Sequence, residues 1–96
     1  MRIKLQLENQ IKELERVNNK IESIINHKSR YLLDSVIVDY LLSQRNKIEF
    51  AIQVSTYSLN NTDDILLESI YIANTGLDID TLENQLDYYI QLISKK

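Results

Sequence analysis

Leu7, Ile11, Leu14, Asn18, Ile21 and Ile25 follow one another in alternating steps of four and three. This is a heptad seam, and it predicts a first helix over residues 2–27, about 39 Å long. Residues 26–30, Asn-His-Lys-Ser-Arg, interrupt the pattern. They place positive charge at a helix C-terminus and offer Ser29 as the next N-cap. The chain resumes with Tyr31 to Leu42, in which nine of twelve residues are apolar. As a helix that stretch carries too much apolar surface for one face, so it is expected to be covered from several sides. Ile48, Ala51, Ile52 and Tyr57 continue it at helical spacing, giving a second helix over residues 30–59. Two helices of similar length joined by a short turn form an antiparallel hairpin.

Residues 58–62, Ser-Leu-Asn-Asn-Thr, form the clearest loop. A third helix follows over residues 63–74, with Asn61 or Thr62 as its cap and Asp63 and Asp64 in its first turn. Gly76 suits a left-handed residue at its C-terminus. A fourth helix spans about residues 78–95, opening at Asp78 or Asp80; with Asp78 as cap, Leu77 and Leu82 form a hydrophobic staple. The predicted fold is all-α. It is a small helical bundle in which a long antiparallel hairpin (about 2–27 and 30–59) packs with a shorter helix-turn-helix hairpin (about 63–74 and 78–95). Residues 1–96 make one domain, because smaller pieces could not bury a core.

Composition sharpens this picture. The chain has no proline, one glycine and no cysteine. Turn-rich β folds need the first two, and without cysteine there is no disulfide or thiolate chemistry. No apolar run approaches the roughly 20 residues that span a bilayer. The N-terminus turns charged too soon for a signal peptide, so a cytoplasmic location is expected. The net charge of −3 is uneven. Residues 1–30 carry seven bases and four acids, and residues 60–96 carry two bases and seven acids. Such a split can steer a partner or bias how the two ends pack.

The search for catalytic equipment yields no catalytic residue, no metal ligand set and no cofactor site. The single histidine, His27, sits at a helix end with no nucleophile or carboxylate at a defining spacing. One glycine cannot build a phosphate-cradling loop, and no Glu-x-x-His or His-Glu-x-x-His exists. The acids near 63–64 and 78–80 sit where helix N-termini want them. Asp39-Tyr-Leu-Leu-Ser-Gln-Arg45 resembles the stretch before a substrate-binding arginine in the all-helical chorismate mutases. The further basic and amide residues that such a dicarboxylate clamp implies have no counterparts at matching positions. Residues 70–86, with Gly76, Leu77, Leu82 and Leu86, resemble a helix-turn-helix. Its would-be recognition helix carries Asp78, Asp80, Glu83 and Asp87, which repel phosphate.

What remains is a surface for partners. The expected function is a non-enzymatic protein–protein interaction module, an adaptor or small accessory subunit of a larger assembly, with a homodimer as one form. Tyr31 and Tyr88 are the expected interface anchors, since tyrosine is enriched at binding hot spots. Asn18, at a seam position, is either a register-fixing buried pair across two chains or a polar residue at a bundle edge with Val17 in its place. The alternative is a small DNA-binding regulator. It would use the helix-turn-helix-like half or the basic stripe Lys12, Arg16 and Lys20 on the first helix.

Overall fold

The computed structural model describes residues 2–94. Its helices are α1 (Arg2–Ile25), α2 (Ser35–Leu59), α3 (Asp64–Thr75) and α4 (Ile79–Ser94), with a single 3-10 turn at Arg30–Leu32. Among the described residues there is no strand. The chain is a small all-α bundle in which α1 packs against α2, α3 and α4.

The heptad seam of α1 is its buried stripe. Leu7, Ile11, Leu14, Ile21 and Ile25 are all buried, and Asn18 is half-buried. Ile3, Val17 and Ile24 are buried beside them and widen the stripe so that it serves two neighbours at once. α2 runs back along α1 in the expected antiparallel sense: Ile52 and Leu59 pack near Ile3, Leu7 and Ile11, and Arg45 reaches Glu22.

The expected shorter hairpin does not fold back on itself: α3 and α4 are laid along α1, one after the other, and barely touch each other. Leu67 of α3 packs with Ile3, Leu7 and Ile11, and Leu82, Leu86 and Ile93 of α4 pack with Leu14 to Ile25. The result is a rod of 48 × 18 × 18 Å with three helical legs, the third interrupted. The interruption has a physical cause. Carried on unbroken, the inward line of α3 (Leu67, Ile70, Asn74) would bring Thr81, Gln85 and Tyr88 to the core. α4 instead buries Leu82, Leu86 and Ile93, one residue out of phase. The turn resets the phase. The N–H groups of Gly76, Leu77 and Asp78 donate to the carbonyls of Ala73, Asn74 and Thr75, which tightens the helix end, and then Asp78 reverses hand at φ 49.

Several local expectations are corrected. α1 stops at Ile25, where the Arg30 guanidinium donates to the Ile25 carbonyl at 2.9 Å and closes the helix end. α2 begins at Ser35, not residue 30, and Asp34, not Ser29, is its cap: Asp34 Oδ1 accepts from the Val36 N–H at 2.9 Å. The 3-10 turn before it buries Leu33 and leaves Tyr31 and Leu32 outside, so Tyr31 to Leu42 is not covered from several sides. Asp63, not Asn61 or Thr62, caps α3 by accepting from the Leu66 N–H at 3.0 Å. Gly76 is right-handed at φ −67, and the left-handed residue is Asp78. Leu77 and Leu82 do belong to one apolar cluster, as the staple requires.

One polar node ties the three legs together. Asn74 Nδ2 of α3 donates to Gln10 Oε1 of α1 and to Ser55 Oγ of α2, both at 2.9 Å. Gln10 Nε2 in turn donates to the Tyr71 carbonyl at 3.1 Å. Ser55 is fully buried, so the node fixes register where apolar packing alone would permit sliding.

Two stability outcomes follow from the turn and the node. Asp78→Val, a β-branched residue forced into the left-handed region, should cost about 1–2 kcal/mol in chemical denaturation, whereas Asp78→Gly should not destabilise. Asn74→Ala strands the Gln10 acceptor and should cost about 1–3 kcal/mol by the same measurement.

Candidate interaction surface

The outward side of α2 carries a second stripe. Val36, Tyr40, Ser43, Lys47, Phe50, Val54 and Tyr57 fall in steps of four and three, so they share one face of the helix. Val36 is 73% exposed, Phe50 68% and Tyr57 70%. Facing them across a shallow groove, α3 and the turn present Ile70, Ala73 and Leu77, with the exposed Leu66 before them at the same spacing on α3. Phe50, Val54, Ile70, Ala73 and Leu77 line a groove of about 340 Å3, with Lys47 at its end. Further along the rod, Tyr40, Lys47, Asp78, Thr81 and Gln85 line an adjoining hollow of about 240 Å3. There Tyr40 Oη donates to Gln85 Oε1 at 3.0 Å. A continuous furrow therefore runs between α2 and the interrupted third leg, apolar at the α3 end and mixed at the α4 end.

Monomers expose single apolar side chains routinely, and Leu5, Ile65 and Ile72 are of that kind. The furrow differs because its apolar residues are contiguous. It was not singled out from the sequence. Its signal was present, since α2 and α3 are apolar on too many sides for one neighbour, but which apolar residues face outward depends on how the legs pack.

Tyr31 is 71% exposed in the 3-10 turn, and Tyr88 is 58% exposed on α4 with its ring centroid 5.9 Å from that of Tyr89. Neither lines the α3 end of the furrow. Tyr71 and Tyr89 sit half-buried at the bundle edge, whereas Tyr40 and Tyr57 are exposed. Asn18 lies in the α1 stripe. Its Oδ1 is buried without a hydrogen-bond partner, as is Nε of Arg45, whose Nη1 reaches Glu22 at 3.4 Å. Arg45, the residue that carries the mutase resemblance, is thus engaged along the α1–α2 contact. His27 Nδ1 accepts from the Ser29 N–H at 2.9 Å, a bond internal to the turn.

The basic stripe divides. Lys12 is exposed and enters no ion pair among the described residues, whereas Arg16 and Lys20 meet the acids of α4. The Arg16 guanidinium grips both carboxylate oxygens of Glu83, and Lys20 Nζ donates to Glu83 at 2.6 Å and to Asp87 at 2.9 Å. Hydrogen bonds from Arg16 and then Lys20 push the Glu83 carboxyl down to about 2, and those from Glu83 and Asp87 raise Lys20. The opposite charges of the two chain ends hold α4 on α1.

A hollow of about 420 Å3 between α1 and α3 is lined by Gln6, Asn9, Gln10, Lys12, Glu13 and Tyr71, an amide-rich wall. Among the described residues no group of three or more His, Cys, Asp or Glu is placed to hold a metal ion, and no helix is long and apolar enough to cross a membrane. No protein-family model, curated protein or solved structure matches the chain.

The ion cluster sets a pH dependence. Glu83 ionises near 2 in the folded chain against an ordinary 4.5, so the stabilisation is complete above the higher value and is lost as pH falls through that window. Glu83→Gln should be less stable than the parent at neutral pH, by at most about 1 kcal/mol for so accessible a cluster. The gap should close as denaturation is repeated toward pH 2.

Proposed function

We propose that this chain is a non-enzymatic protein–protein interaction module, acting as an adaptor or a small accessory subunit of a larger assembly. The observation that carries the reading is the furrow: contiguous apolar side chains of α2, α3 and the turn after it, with Phe50 and Ala73 exposed and Val54, Ile70 and Leu77 half-buried at the core's edge, at the spacing that receives a helix. Phe50 is its rigid aromatic anchor, with Tyr57 exposed beyond it on the same face of α2, and Val54, Ile70 and Leu77 form its floor. Covering them with a partner removes apolar surface from water at about 25 cal/mol per Å2. Tyr88 on α4 and Tyr31 at the rod's end extend the surface that a larger partner would reach.

The DNA-binding alternative draws less support. Two of the three bases in the α1 stripe already face carboxylates, and the acids of α4 that pair with them would have to release them to phosphate.

The test compares the parent chain with Val54→Glu and with Tyr31→Ala/Tyr88→Ala, each first checked for unchanged helicity and melting. A protein held in stoichiometric amount by the parent, and lost on Val54→Glu, is the expected outcome. Retention by Val54→Glu and loss on the tyrosine pair would move the surface to the α4 end. If nothing bound by the parent, including itself, responds to either variant, the interaction reading is wrong.

A further inference from the structure

Resting on the reading of the furrow as an interaction surface, we infer that its occupant is a second copy of this chain, bound with the two rods parallel about a two-fold axis along their length. Three features of the furrow favour self-pairing in that sense.

The first is charge. Lys47 and Asp78 face each other across the middle of the furrow, one from α2 and one from the interrupted leg. Neither enters an ion pair among the described residues. A two-fold axis along the rod exchanges the two walls of the furrow, so Lys47 of each copy meets Asp78 of the other in two equivalent pairs. An axis across the rod would instead set Lys47 against Lys47, which like-charge repulsion opposes.

The second is shape. Phe50 is large and exposed on one wall, and Ala73 is small and exposed on the other, at the same level of the groove. Exchanging the walls seats each Phe50 over the partner's Ala73 and each Tyr57 toward the partner's Leu66. Because α2 and α3 run in opposite directions, each α2 then lies antiparallel to the partner's third leg. The four legs close as an antiparallel four-helix arrangement with coiled-coil-like packing.

The third is area. One side of the rod, 48 by 18 Å, is on the order of 800 Å2, which is what each partner contributes to an interface of standard size.

The experiment is sedimentation equilibrium on the full chain, followed by disulfide mapping, which the absence of cysteine makes clean. The parent should be a dimer in the micromolar range. Ala73→Glu, at an exposed position that burdens no core, should be monomeric with unchanged helicity. Lys47→Glu should weaken dimerisation by about tenfold, and the parent's affinity should fall with salt where that of Lys47→Gln does not. In an equimolar mixture of the single variants Phe50→Cys and Ala73→Cys, the mixed disulfide should form faster than either like pair, since each such bond can only join two chains. Predominance of the like pairs would overturn the axis along the rod. A parent that remains monomeric at all accessible concentrations would overturn self-pairing, and would leave the interaction module standing if Val54→Glu still releases a different protein.

Discussion

Every helix of this chain leans on α1, and α1 can support them only because its apolar stripe is wide enough for two neighbours. A strict two-position seam would satisfy a single partner helix. Ile3, Val17 and Ile24 lie beside the seam and are as buried as the seam itself. With one flank taken by α2, the other must be covered along its whole length, about 36 Å for 24 residues. α3, at 12 residues, covers roughly half of that. The interrupted third leg is the consequence: one stretch of chain travels the length of α1 but changes phase midway so that Leu67 and then Leu82, Leu86 and Ile93 all point inward.

The phase change explains why a glycine and an aspartate sit where they do. A turn in which the chain folded back on itself would place its left-handed residue at the glycine, the usual stop signal. Here the direction is kept and only the rotation is altered. Gly76 stays right-handed, its missing side chain leaving room beside the Ala73 carbonyl, which a Cβ there would approach to 3.2 Å. Asp78 takes the reversal, which a short polar side chain tolerates better than most. The resemblance of residues 70–86 to a helix-turn-helix arises from the same residues. A turn glycine flanked by leucines at helical spacing is what any two helices joined by a tight turn require, whether they fold back or carry on.

Much of the architecture was legible in the sequence for the reason that periodicity reports burial on one face. The α1 seam, the interruption over residues 26–30, the loop near Asn60 and the fourth helix's Leu82–Leu86 line all follow from spacing alone. The start of α2 was not legible, because density of apolar residues says that a segment is apolar without saying which members are inside. Leu33 is buried while Leu32 is exposed, and the choice between them is made by the 3-10 turn and by the Asp34 cap. The Asn74 node was invisible for a related reason: an asparagine near a helix end looks like a cap, and only the meeting of three legs reveals Gln10 and Ser55 as its partners. Charge was half legible. The basic first third and acidic last third were plain, and the ion cluster on Glu83 makes them complementary surfaces within one chain. That leaves Lys12 as the outward remnant of the stripe considered for nucleic acid.

The furrow was the least legible feature, and the cause lies in what a second apolar stripe on a helix means. Tyr57 and Phe50 are spaced for burial, and by pattern they are indistinguishable from core residues. The fold distinguishes them by running out of helices. Three legs close a core around Leu14, Leu41, Ile48 and Leu86 and leave Val36, Phe50 and Tyr57 on the outer side of α2 largely uncovered by the described residues. A stripe that offers apolar side chains at core spacing yet lies outside the core is a local disagreement between pattern and environment, and such disagreements are where function is expected. In this chain the disagreement spans both walls of one furrow, and at its middle stand a base and an acid, Lys47 and Asp78, that enter no ion pair among the described residues.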